Sequence, residues 1–509
     1  MKFLFPFSIL AFFFSVSLIT SCQNRSTSAA NNAAHAKSAT VHITLKNYSG
    51  SVMIVDTGLR YNLTKQAIAL HLDAHHSASY TIAIDEPTCL VLSFSNGLSN
   101  YSLFLSPGDE IFLTADFAKK DNNITVTGKG SNNNQPEIFA LTNIDTHPFN
   151  DDAAPDRVIA AINKQYLLNK KMLAKYIKVN KPSAAFIKTA TINLQYFAPL
   201  NYYESKHSNV FGKPKEQQQR WQKVQDSLFS TIKLSNDDAL AAYNYTRLID
   251  NFIMRETYSL WMDYSTQPVA FYKKWFHTNP IQGKMLFDSA RLGVLNQKVI
   301  DKYFTGRAAE YAYARALKDL YREADYQSVA LLFNHFKKEY PQSGYINSFN
   351  APVTAVVNKQ RQALNSKIIF VADNGTKLNT LKEVIALNKG KTVLIDMWGT
   401  WCGPCREEIE KNAAKLRAHF KGENVTFLYV SNLDSGREKE WKKQIAYFQI
   451  EGLHILANPK LTDDIMGKVK ATGYPTYIIV KKDGSYKQTV TRYPVNLTAL
   501  IKEIETAGL

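Results

Sequence analysis

Two cysteines three residues apart, Cys402 and Cys405, stand in the run Trp401-Cys402-Gly403-Pro404-Cys405. A thiol pair at this spacing can close and reopen a disulfide, and so store and release two electrons. An apolar run from Thr392 to Trp398 leads into the pair, and Arg406-Glu407-Glu408-Ile409-Glu410 leads out of it. That order predicts a strand, a short turn and a helix start, with Cys402 at the helix N-terminus. The partial positive charge there favours thiolate over thiol and makes the sulfur a nucleophile near neutral pH. A structural zinc site needs four ligands and the chain has no second C-x-x-C, so no metal is expected at this pair. A second cluster, His71, Asp73, His75 and His76, is expected to be surface side chains in a turn, with metal binding as the alternative. No motif requires a cofactor.

The elements that must hold this pair lie in a chain of 509 residues, long enough for several domains. Its formal charge of +17 is spread out, with no dense Lys/Arg block interleaved with aromatics, so a solvated basic surface is expected and nucleic acid is not. Lys2, the apolar run Phe3 to Ile19 and the polar stretch after Cys22 have the layout of a secretory signal. Ile19-Thr20-Ser21-Cys22 resembles the lipobox of bacterial lipoproteins. The resemblance implies a signal peptide over 1–21, lipidation of Cys22, a lipid anchor in a membrane, and a folded part outside the cytoplasm on the periplasmic side of the envelope. A secreted protein stapled by disulfides would carry more than four cysteines, and Cys89, in the apolar run Cys89 to Leu92, is expected to be a buried thiol.

Residues 22–40 are small and polar, as in a flexible tether. Alternating patterns over 41–130 predict short strands at 41–45, 51–55, 79–84, 90–94, 101–105, 111–115 and 124–128, hence a small β-sandwich. The stretch Leu105 to Leu113 with Val126 to Gly130 resembles the N-terminal β-domain found ahead of thioredoxin-like modules in envelope lipoproteins. Ser131 to Asn134 reads as a linker. From 135 to 350 the pattern is helical and rich in Tyr and Phe, without a 34-residue repeat signature. Its clearest helix runs from Glu310 to Tyr340 and stops at Pro341. Residues 366–509 alternate strands and helices and close with a hairpin at Asp483-Gly484 and a final helix, an α/β pattern. The fold class expected is therefore multidomain: a β-sandwich, an all-α region and a C-terminal α/β domain.

The last of these resembles the thioredoxin fold of the membrane-tethered TlpA/ResA-like family. Val393 to Cys405 (VLIDMWGTWCGPC) matches its central strand and active-site turn, Gly473-Tyr474-Pro475-Thr476 its cis-proline loop, and Asn432 to Phe448 its insertion. The resemblance implies a thiol-disulfide oxidoreductase. Cys402, the more exposed sulfur, would attack a substrate disulfide, and the more buried Cys405 would resolve the mixed disulfide. Asp396 matches thioredoxin's buried carboxylate, although members of the tethered family often carry another residue there. Burial should raise its pKa and let it take the Cys405 proton. Pro475 should be cis and place the Tyr474 backbone where an extended substrate can pair with it, beside an apolar platform at Trp401.

Gly-Pro between the cysteines resembles the reductant thioredoxin. It implies reduction of disulfides in exported proteins, apocytochromes before haem attachment among the candidates, with electrons from a membrane thiol donor. An oxidase or isomerase with the same site is one alternative, and a binding or scaffold lipoprotein with an accessory redox domain is another. Peroxide reduction is disfavoured because no threonine-proline-cysteine motif is present.

Overall fold

A computed structural model describes residues 38–56, 68–94, 101–119, 123–140, 144–210, 212–288 and 290–508. The expected signal peptide, lipidated Cys22 and tether as far as residue 37 lie outside these residues. The chain forms two compact units. One holds the N-terminal strands and the helices up to Arg255, with Tyr303–Ala312. The other holds Glu256–Lys302 and everything from Tyr313 onward.

The N-terminal part has eight strands: β1 (Ser38–Lys46), β2 (Val52–Asp56), β3 (Ile68–Leu70), β4 (Ser77–Ala83), β5 (Thr88–Phe94), β6 (Tyr101–Leu105), β7 (Glu110–Asp116) and β8 (Thr125–Lys129). They form two sheets, ordered β4-β1-β7-β8 and β3-β2-β5-β6. Alternation along β1 buries Ala39, Val41, Ile43 and Leu45, and along β5 it buries Leu90, Leu92 and Phe94. These side chains join one core fed by both sheets, which is the expected sandwich. β1 begins at Ser38, and β3 was missed because it is three residues long and largely exposed. Ser131–Asn133 forms a 3-10 turn rather than a loose linker. Asn134, fully buried, accepts from Phe104 N at 2.7 Å and donates to Phe104 O at 2.8 Å, which caps the edge strand β6.

Eleven helices follow among the described residues: α1 (Asp156–Asn180), α2 (Ala184–Gln195), α3 (Phe197–Val210), α4 (Lys215–Phe229), α5 (Tyr243–Thr266), α6 (Pro268–Phe276), α7 (Pro280–Asp288), α8 (Arg291–Tyr303), α9 (Gly306–Arg322), α10 (Tyr326–Glu339) and α11 (Gly344–Lys359). The aromatic stripe is core: Tyr313, Val329, Leu332 and Phe336 are fully buried. Two expectations need correction. The helix from Glu310 to Tyr340 is two helices, broken where Ala324 takes a left-handed conformation (φ 52°) and Asp325 caps α10 through Ser328 N. Helix also continues past residue 350, since α11 runs through Pro352 to Lys359.

The C-terminal part contains β9 (Ile368–Phe370), α12 (Leu381–Ala386), β10 (Thr392–Trp398), α13 (Gly403–Glu408), a π-helical turn (Ile409–Ala413), α14 (Ala414–His419), β11 (Val425–Ser431), α15 (Glu438–Phe448), β12 (Gly452–Leu456), α16 (Pro459–Lys468), β13 (Thr476–Val480), β14 (Tyr486–Gln488) and α17 (Leu497–Thr506). The sheet order is β14-β13-β10-β11-β12-β9. β10 runs parallel to β11 and antiparallel to β13, and all seven of its residues are buried. Helices cover both faces. Val393, Ile395 and Met397 pack with α12 and α16. The opposite face meets α13, α14, α15 and α17 through Leu394, Trp398 and their neighbours. This is the three-layer arrangement expected of a thioredoxin fold. No helix among the described residues is long and apolar enough to cross a membrane.

Candidate active site

Strand β10 ends at Trp398 and α13 begins at Gly403, so the four residues between them form the active-site turn. Cys402 is the N-cap of α13 and is joined to Cys405 as a disulfide, with the two Cα atoms 5.3 Å apart. Cys405 N donates to Cys402 Sγ at 3.2 Å. A backbone N–H aimed at this sulfur, together with the helix end, stabilises negative charge on it. Cys402 is the more exposed of the pair, as expected, although both residues are buried. It is 4 % exposed against 1 % for Cys405. Trp401 and Tyr474 pack against the cluster that holds both cysteines, and Glu323 lies against Gly403.

Trp401 and Tyr474 meet edge to face, ring centroids 5.5 Å apart. Trp401 Nε1 donates to Asn432 O at 3.0 Å, and its ring lies so close over Gly399 that a Cβ there would come within 2.4 Å of Nε1. The Tyr474–Pro475 bond is cis, Pro475 is buried, and Thr476 Oγ1 closes the loop on Gly473 O at 2.7 Å.

Asp396 shares the β10 face of Leu394 and Trp398, the face beneath the helix that carries Cys405. It is 6 % exposed and its Oδ1 has no hydrogen-bond partner. Burial, with the Glu408 carboxylate nearby, pushes its pKa up to about 8. Both carboxylates line a cavity of about 20 Å³, room for one water, along with Asn412, Tyr429 and Tyr477. Glu408 itself is 4 % exposed and accepts from Val495 N at 3.0 Å and Asn412 Nδ2 at 2.6 Å. Burial raises its pKa too.

Sequence reasoning missed Glu408, although its place one turn after Cys405 puts it on the same helix face. It also missed the frame that holds the turn. Asp434, fully buried, accepts from Thr400 N at 2.8 Å, Thr400 Oγ1 at 2.5 Å and Ser431 Oγ at 2.6 Å, with Arg437 at 3.5 Å. Asn432 holds Trp398 O, and Arg406 is buried with its guanidinium on the carbonyls of Thr400 and Glu323. Two groups lie away from the site. Cys89 Sγ sits 3.8 Å from Ala241 O, its thiol pushed up to about 11 by burial. Asp73 closes a turn by accepting from His75 N and Ser77 N. No group of three or more His, Cys, Asp or Glu suited to a metal ion occurs among the described residues.

The sheet, the Cys402–Cys405 disulfide at a helix N-terminus and the cis-proline loop beside it define a thioredoxin-like thiol-disulfide oxidoreductase domain. Comparison with known proteins agrees. Residues 390–486 match the Thioredoxin-like family. The chain is similar to the thiol-disulfide oxidoreductase ResA of Bacillus subtilis, 27 % identical over 128 residues, which are 24 % of this chain and 66 % of the relative. It is also similar to an uncharacterized protein of Haemophilus influenzae, 28 % identical over 122 residues, 22 % of this chain and 72 % of the relative. Among solved structures it is similar to the thioredoxin domain of a thiol-disulfide oxidoreductase from Bacteroides vulgatus, 27 % identical, covering 23 % of this chain and 83 % of that one with a TM-score of 0.20.

Proposed function

We propose that this chain is an extracytoplasmic, lipid-anchored reductase of disulfides in exported proteins. The observation that carries the reading is the Cys402–Cys405 pair at the start of α13, above a buried Asp396 whose pKa is raised to about 8. In the dithiol form, Cys402 thiolate attacks one sulfur of a substrate disulfide. That S–S bond breaks, the departing thiolate takes a proton from solvent, and a mixed disulfide remains. Cys405 then gives its proton to ionised Asp396 and attacks Cys402 Sγ. The substrate leaves as a dithiol and the enzyme keeps the Cys402–Cys405 disulfide, so two electrons pass to the substrate. A carboxylate with a pKa near that of a thiol is a well-matched base for this step.

Trp401 and the Tyr474–Pro475 loop flank the sulfurs and supply the apolar and backbone surface on which an extended segment would lie. A membrane thiol donor would restore the dithiol, and Cys22 would carry the lipid. The signal-like N-terminus and the similarity to ResA support this placement. The test is a trap. With Cys405→Ser, mixed disulfides should accumulate on Cys402 in cells and identify exported clients. If nothing is trapped while Cys402 still alkylates, the client-reductase reading is wrong.

A further inference from the structure

The break between α9 and α10 reaches the active site. Arg406 Nε donates to Glu323 O at 3.1 Å, and a Cβ on Gly403, the residue after Cys402, would lie 3.4 Å from Glu323 Cβ. The next residues fix the turn to the same helix. Tyr326 donates its hydroxyl to the Glu410 carboxylate, in the π-helical turn that follows α13. Its ring lies 4.8 Å from that of Tyr447 on α15. Gln360 Nε2 donates to Tyr326 O at 2.9 Å, and Lys359 pairs with Glu410 at 3.4 Å. Thus a turn of the helical region lies on the N-terminal end of the active-site helix, beside Cys402, a residue only 4 % exposed.

Resting on the redox reading above, we propose that Glu323–Asp325 is a size-selecting cap. It lets small thiol reagents reach Cys402 and excludes a polypeptide disulfide until the turn lifts. Attack by Cys402 needs the three sulfurs nearly in line, and a folded or extended protein segment approaching that line would meet Glu323. The anchor is the hydrogen bond from Tyr326 to Glu410, which involves neither cysteine, so it can be weakened without touching the reacting groups.

The experiment compares alkylation of Cys402 in the reduced full chain by iodoacetamide and by a maleimide carried on a long polyethylene glycol chain, read by peptide mass. In the wild type the bulky-to-small rate ratio should fall well below that of a free peptide thiol. Tyr326→Ala should raise the ratio about tenfold, the effect of losing one hydrogen bond to a charged group. Tyr326→Phe and Glu410→Gln, which keep the packing, should raise it several-fold and serve if the alanine variant does not fold. A wild-type ratio equal to that of the free thiol, or a ratio unchanged in all folded variants, overturns the cap. Alkylation reads access alone, so a changed ratio with no protein-disulfide turnover would count against the redox reading and leave the cap standing.

Discussion

Asp396 and Glu408 face one small cavity beneath the helix capped by Cys402, and the Glu408 carboxylate raises the cost of ionising Asp396. One lies on the central strand and the other on the helix above it, so the sheet–helix layer brings two carboxylates together where water is scarce. That arrangement sets the pH behaviour of the site.

Turnover of a protein disulfide should rise as pH increases through about 8, because Asp396 accepts a proton only when ionised. Asp396→Asn should abolish this limb and slow mixed-disulfide resolution by roughly 100-fold or more. The rate of decay of a preformed mixed disulfide, followed against pH, checks this.

The same shift has a stability consequence of definite sign. Between its ordinary value of 3.8 and about 8, Asp396 holds a proton in the folded chain that the unfolded chain has released. Stability from this group is therefore present at low pH and lost as pH rises through that window. Asp396→Asn should stabilise the domain at and above pH 8, by up to about 5 kcal/mol. Denaturant midpoints of the two proteins should converge towards pH 4.

Glu408→Gln removes the charge that helps hold Asp396 up and keeps an oxygen acceptor for Val495 N. The alkaline limb of the pH–rate profile should move to lower pH. A profile unmoved by the substitution would show that the two carboxylates do not communicate.

His454 acts in the opposite direction. It is fully buried, Nε2 donates to Ile450 O at 2.7 Å, and burial lowers its pKa from 6.5 to about 4. The unfolded chain takes up a proton in that window and the folded chain does not, so stability falls as pH drops from about 6.5 towards 4. His454→Phe should cost about 1 kcal/mol at neutral pH for the lost hydrogen bond and weaken the acid sensitivity. Thermal midpoints across pH measure both.

Asp434→Ala strips Thr400 and Ser431 of a shared buried acceptor and leaves Arg437 unpaired with it. The loss should be about 3 kcal/mol, with slower reduction of protein disulfides because the Gly399–Trp401 turn loosens. Denaturant unfolding and an insulin-reduction rate would report the two effects.

The C-terminal domain was legible because its signals are local. An apolar strand, a C-x-x-C and a Tyr-Pro loop each declare themselves within a few residues. Asp434 was not legible as the clamp of the turn, because the turn residue it holds, Thr400, lies 34 residues away in sequence. The α9–α10 break was hidden for a different reason: its left-handed residue is Ala324, where Gly or Asn would have marked a helix end. The apolar spacing continues across the break, so periodicity alone joins the two helices. In the sandwich, alternation shows which residues face inward, but it says nothing of the parallel pairing of β1 with β7.

The central claim is that Cys402 and Cys405 form a reducing dithiol. Equilibrating the full chain with glutathione or dithiothreitol buffers, and reading the fraction of Cys402–Cys405 disulfide by mass, gives its potential. A reducing dithiol should give a value of about −270 mV, in the range of thioredoxin. A value near about −120 mV, that of a strong disulfide donor, would contradict it.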